Sequence, residues 1–86
     1  MGLSNSIPLS QVKTGEMFQI NKIQLEGPLK RRLLDLGFIP GAVVEVLQKS
    51  PLGDPVAYRV SNTTIALRKE ESLLITGSLI RSEAHE

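Results

Sequence analysis

The stretch from Leu33 to Arg68 constrains the fold more than any other part of this chain. It reads LLDLGFIPGAVVEVLQKSPLGDPVAYRV followed by SNTTIALR, so a helical pattern gives way within a few residues to three strand patterns in succession. The pivot is Leu36-Gly37-Phe38-Ile39-Pro40-Gly41. Gly37 is able to take the left-handed conformation that ends a helix, and Pro40-Gly41 suits the next two corners of a turn. A helix is thereby delivered straight into a β-meander.

The remaining elements follow from spacing. Ile7, Leu9 and Val12 are apolar anchors ahead of a polar turn at Thr14-Gly15-Glu16, and Phe18 and Ile20 alternate with Gln19 and Asn21 in a first strand expected to run to about Leu25. Gly27-Pro28 opens a helix, proline being tolerated at the first helical position. Leu29, Leu33 and Leu36, with Leu34 beside them, form its apolar stripe, while Lys30, Arg31, Arg32 and Asp35 fall on other faces. Val43 to Lys49 carries apolar residues on both faces and is expected to be a central, two-sided strand. Pro51-Leu52-Gly53-Asp54-Pro55 reads as a hairpin loop, its prolines outside the ladder because they have no N–H to donate. Val56, Tyr58 and Val60 alternate with Ala57 and Arg59, Ser61-Asn62-Thr63 turns the chain, and Ile65 and Leu67 complete a second hairpin. Lys69 to Ser72 is expected to make a single helical turn and Leu73 to Ile80 a last strand. The expected fold is mainly β: a small barrel of about five strands with one short α-helix inserted after the first strand. Residues 1–6 are expected to be a disordered tail, 7–80 the domain and 81–86 a frayed tail.

Composition narrows the function. A chain of 86 residues makes one domain, burying only roughly 60–65% of its unfolded surface. It has no cysteine, which removes disulfides and thiolate chemistry and fits a reducing compartment, with the cytoplasm as the expected location. Ten basic and nine acidic residues leave a formal net charge of +1, too even a balance to draw nucleic acid or anionic lipid from a distance. No apolar stretch approaches the ~20 residues of a membrane span.

No catalytic or cofactor constellation is legible. Glu70-Glu71 lies in a polar turn, and the sole histidine, His85, is next to last, where a rigid site is not expected. No G-x-x-x-x-G-K-S/T phosphate loop is present. With neither cysteine nor an internal histidine, tight transition-metal binding would require acidic residues gathered by folding. No cofactor, metal site or enzymatic activity is expected. Lys30-Arg31-Arg32 is the one basic run; it reads as a solvated helix face, with Arg31 and Asp35 spaced for a weak ion pair, or as a contact for an acidic patch. Leu52 in its Pro/Gly/Asp loop either folds back on the core or projects as an anchor. Tyr58 reads as a packed strand residue rather than an exposed binding handle.

The turn Leu36 to Gly41, the Pro51-Leu52-Gly53-Asp54-Pro55 hairpin and the Ile65 to Arg68 strand together resemble the ferrous iron transport protein A (FeoA) family, whose members carry an LGF-x-PG turn, a P-x-GDP hairpin and an IALR-like strand on an SH3-like barrel. The resemblance covers about residues 7 to 80. Gly37, Pro40, Gly41, Gly53 and Pro55 are expected to be structural turn residues on their backbone preferences. The resemblance implies a small accessory protein of iron uptake that docks on the cytosolic side of FeoB, the membrane ferrous-iron transporter. On that reading the contacts are expected from Lys30, Arg31 and Arg32 on the helix and from Leu52 and Asp54 on the hairpin tip. An alternative is a stand-alone relative of the barrel at the C-terminus of metal-dependent transcriptional repressors, acting in iron-responsive regulation. This chain has no residues left for the DNA-binding domain of such repressors. A peptide-binding SH3 module is a poorer fit, because Phe18, Phe38 and Tyr58 are too few aromatics to line a groove and fill a core.

Overall fold

A computed structural model describes residues 6–80; the expected tails at 1–6, apart from Ser6, and at 81–86, His85 included, lie outside the described residues. Six strands form one antiparallel sheet: β1 (Ile7–Pro8), β2 (Met17–Ile23), β3 (Val43–Lys49), β4 (Val56–Val60), β5 (Thr63–Leu67) and β6 (Ile75–Ile80), in the order β1-β6-β2-β3-β4-β5. Helix α1 (Pro28–Asp35) lies between β2 and β3, helix α2 (Lys69–Ser72) between β5 and β6, and a 3₁₀ turn (Leu9–Gln11) follows β1.

The core is the inner face of this sheet. Phe18 and Ile20 from β2, Val44 and Val46 from β3, Tyr58 and Val60 from β4, Leu67 from β5 and Ile75 from β6 are buried together with Leu9, Leu33 and Phe38. The alternation of inward and outward residues is what a pleated strand with one solvated face requires. On the outer face Glu45 and Arg59 stand opposite each other in register and form an ion pair of 2.7 Å. The pair is partly exposed and contributes at most about 1 kcal/mol.

Helix α1 ends as its sequence demands. Gly37 has φ +103°. The Phe38 N–H donates to the Leu33 carbonyl at 2.9 Å and the Gly37 N–H to the Leu34 carbonyl at 3.1 Å, the paired bonds of a Schellman stop. Leu33 and Phe38 are both fully buried, so the hydrophobic contact that accompanies such a stop is also the joint between helix and core. The Ala42 N–H then closes a turn on the Ile39 carbonyl at 2.9 Å, and the Gly41 N–H and the Ala42 carbonyl both bond to the backbone of Ile20. The reversal is therefore sewn onto β2 before β3 begins.

Several expectations are corrected. The described residues hold six strands rather than about five, because Ile7–Pro8 pairs with β6 at Gly77 and Thr76; two residues carry no measurable period. Helix α1 consequently follows the second strand, and α2 is a second helix. β2 stops at Ile23, two residues before Leu25, after a register shift between Ile20 and Lys22, where a bulge absorbs one residue. The last strand begins at Ile75 rather than Leu73, with Leu73 and Leu74 exposed. β3 is central in pairing but one-sided in burial: Val43 is 40% exposed. Only Leu33 of the expected helical stripe is fully buried, and Leu34 is 37% exposed. The pairing runs from β1 to β5 as an open ladder; among the described residues no pairing joins those two edges into a closed barrel.

One residue critical to the sheet has no signature in the sequence. A Cβ built on Gly77 in β6 would fall on the Gln19 carbonyl oxygen and within 2.8 Å of the Phe18 ring, whereas one on Gly37 would meet only Val60, at 3.8 Å. The two glycines are needed for different reasons: space at Gly77, backbone conformation at Gly37. Gly37→Ala is expected to cost about 1–2 kcal/mol or somewhat more. Gly77→Ala must part β2 from β6 and is expected to cost more than that, at or beyond the ~1–3 kcal/mol usual for overpacking. Chemical denaturation of both variants tests the order; equal stability of either variant and the parent contradicts the corresponding assignment.

Candidate functional site

The candidate residues separate into two surface regions. Lys30, Arg31 and Arg32 sit on α1, which starts at Gly27 with φ +81° and takes Pro28 as its first residue. Arg32 lies in the last turn, where a cation is favourably placed against the helix dipole. Arg31 and Arg32 are exposed and Lys30 is half-buried. The expected Arg31–Asp35 ion pair is not formed: among the described residues the sole ion pair is Glu45–Arg59. Beside the start of α1 lies a groove of about 570 Å³ lined by Gly27, Pro28, Lys30, Arg31 and Leu34. Sequence reading missed the groove, because it assigned Leu34 to the buried stripe.

The hairpin loop between β3 and β4 forms the second region, and here the alternatives for Leu52 are resolved: it projects, 92% exposed. Gly53 has φ +87°, and the Asp54–Pro55 peptide is cis. The Ser50 N–H donates to the Pro55 carbonyl at 3.0 Å and the Gly53 N–H to the Ser50 carbonyl at 2.8 Å, which closes the loop on itself. Asp54 does not hang in solvent as a bare charge. Its Oδ1 accepts from the Lys69 N–H at 2.8 Å, so a carboxylate fifteen residues away caps the first turn of α2, and Glu71 accepts from the Arg68 N–H at 2.8 Å. Two donors at the start of a four-residue helix are thereby satisfied by acidic side chains, the sign the helix dipole favours.

Tyr58 lies under this corner and is a packed strand residue, 2% exposed. Burial pushes its hydroxyl above the ordinary value of 10.0, the neighbouring Ser72 hydroxyl pulls the other way, and the Asp54 carboxylate adds a smaller upward push. Loop, helix α2 and core are thus joined through Asp54, Lys69, Ser72 and Tyr58. Among the described residues no group of three or more His, Cys, Asp or Glu side chains is placed to hold a metal ion, and no helix is long and apolar enough to cross a membrane.

The fold and these two regions define a small, mainly β domain that presents one basic helix face and one tethered loop around an apolar core. The chain belongs to the FeoA domain family, whose model matches residues 7–78. A curated relative in Porphyromonas gingivalis, a fusion of Fe(2+) transport protein A with the Fe(2+) transporter FeoB, is 37% identical over 76 residues, covering 88% of this chain. The chain spans only 9% of that fusion protein's length. Among solved structures, the FeoA protein of Chlorobium tepidum superposes with a TM-score of 0.84 at 31% identity, covering 91% of this chain and 74% of its own. A Stenotrophomonas maltophilia FeoA solved with zinc and described as an SH3 domain protein gives 0.73 at 29% identity, covering 84% and 89%. A manganese-dependent transcriptional repressor superposes at 0.76 with 15% identity over 91% of this chain and 38% of its own; that likeness is one of fold alone.

Two outcomes test the second region. Asp54→Ala is expected to cost about 0.5–2 kcal/mol through loss of the cap, with faster amide exchange at Lys69; unchanged exchange there contradicts the capping role. For Tyr58 the raised pKa means that the folded state holds its proton more tightly than the unfolded chain. Its contribution is complete below pH 10 and is lost as the pH rises from there toward the folded value. The melting temperature of Tyr58→Phe is therefore expected to gain on that of the parent as the pH is raised from neutral to above 10. A constant difference across that range contradicts the assignment.

Proposed function

We propose that this chain is an accessory of ferrous iron uptake that docks by protein–protein contacts on the cytosolic part of a FeoB-type transporter. The observation that carries this reading is the fusion of a FeoA sequence with FeoB in one polypeptide in Porphyromonas gingivalis. A covalent link holds two domains at millimolar effective concentration and so does by tethering what a separate protein must do by affinity. Membership of the FeoA family supports it further. Ferrous iron is on this reading the transporter's cargo and not a ligand of this chain, and the domain acts by contact, without catalysis. The open ladder is read as the SH3-like arrangement attributed to the Stenotrophomonas protein.

Docking contacts are assigned to the basic run Lys30, Arg31 and Arg32 and to Leu52, with Asp54 holding the loop that carries Leu52 in place. The loop that carries Leu52 is closed by its own backbone bonds, so burial of this 92% exposed leucine by a partner has mainly its side chain to order. The alternative, a regulatory module akin to the repressor domain, has the likeness of fold in its favour. Against it, the helices among the described residues have eight and four residues and form no helix-turn-helix pair.

Leu52→Ala and a joint replacement of Lys30, Arg31 and Arg32 by Ser are each expected to leave the melting temperature within a few degrees of the parent. Each is expected to weaken capture of the transporter from solubilised membranes about tenfold, the effect of losing roughly 1.4 kcal/mol. If both fold and bind as the parent does, the contact surface lies elsewhere on the domain.

A further inference from the structure

We infer that the groove beside α1 receives an acidic polypeptide segment carrying an apolar side chain, and that on the docking reading above this segment belongs to the transporter. The groove, about 570 Å³, is an open one along a single helix face, lined by Gly27 and residues of α1. Its walls are of two kinds. Pro28 and Leu34 are apolar, and Leu34 is a large hydrophobic side chain left 37% exposed beside a core that had the option of taking it. Lys30 and Arg31 are cationic, and neither has a carboxylate within ion-pair distance among the described residues, Asp35 included.

Charge complementarity selects the occupant. Two cations over an apolar floor match a segment that pairs carboxylates with a leucine-like side chain, while a basic segment is repelled. A free phosphate is a poorer match. Pro28 occupies the first helical position and has no N–H, so the helix start lacks one of the donors that hold an isolated anion at such a terminus. The lysine and arginine stems add apolar surface while their heads stay wet, which suits a peptide lying along the groove.

The test uses the isotope-labelled full chain and three synthetic hexapeptides, followed by amide shift changes in NMR spectra. The first alternates glutamate and leucine, the second has lysine for glutamate, and the third has serine for leucine. The glutamate–leucine peptide is expected to shift the amides of residues 27–34 and to bind at least about tenfold more tightly than either control. Joint Lys30→Glu and Arg31→Glu is expected to reverse the preference between the acidic and basic peptides, and Leu34→Glu to abolish binding of the acidic one. Absence of binding at millimolar peptide, shifts centred elsewhere, or an unchanged preference in the charge-reversed chain overturns the proposal. A second arm separates it from the docking reading: capture of the purified cytosolic part of FeoB by the parent and by the Leu34→Glu chain. Failure of the parent to capture it sinks the docking reading whatever the peptides do. Equal capture by both chains removes the groove and leaves docking intact.

Discussion

Everything in this domain depends on the chain reversing between α1 and β3 without losing its place in the core. The reversal succeeds because one buried contact serves two elements. Leu33 is the last residue of α1 to be fully buried and Phe38 the first residue after the helix to be so; the backbone bond from Phe38 to Leu33 holds them together across Gly37. Burying two such side chains stabilises by roughly 1.5–3 kcal/mol each, enough to outweigh the modest helix propensity of an eight-residue segment that would not hold in water alone. The same turn is bonded to Ile20, so the position of α1, and with it the direction in which Lys30 and Arg31 point, is set by the sheet.

The opposite corner is organised by polar contacts instead. Helix α2 has only four residues and no face long enough to bury, so it relies on the caps supplied by Asp54 and Glu71. One consequence reaches the surface: the carboxylate that satisfies the helix start also holds the hairpin loop against it, and Leu52 is carried outward on a closed frame. Tyr58 and Ser72 complete the link to the core, which makes the loop a continuation of the packed structure rather than an appendage.

The surface that results has a plain division. The inner face of the sheet is occupied by its own core, so on the docking reading a partner meets the outer features: the groove with its two cations, the projecting leucine and the exposed hydrophobic positions of the turns. With a net charge of only +1, long-range attraction is weak, and a partner is selected by short-range fit and local charge. Such a domain gains from being held near its partner, which gives physical sense to a relative in which a FeoA sequence and FeoB share one chain.

How much of this was legible beforehand differs by element. The helix stop at Gly37, the Pro40-Gly41 turn, the hairpin at Pro51 to Pro55 and the alternation in β3, β4 and β5 are local phenomena. They depend on backbone preferences and on a period of two, so the residues alone determined them, and with them the mainly β character and the family. The closeness of β2 to β6 at Gly77, the pairing of Ile7–Pro8, the escape of Leu34 from the core and the bond from Asp54 to Lys69 were not legible. Each depends on which segments distant in the chain become neighbours. Local spacing cannot encode that Phe18 needs a residue without a side chain opposite it, or that an aspartate in one loop caps a helix fifteen residues on. The chemistry of the candidate site was therefore written in the sequence as residue types, Lys30, Arg31 and Leu52 among them. Its geometry, a groove on one side and a tethered loop on the other, was decided only when the sheet brought the elements together, because long-range packing chooses which apolar residues are buried and which stay exposed.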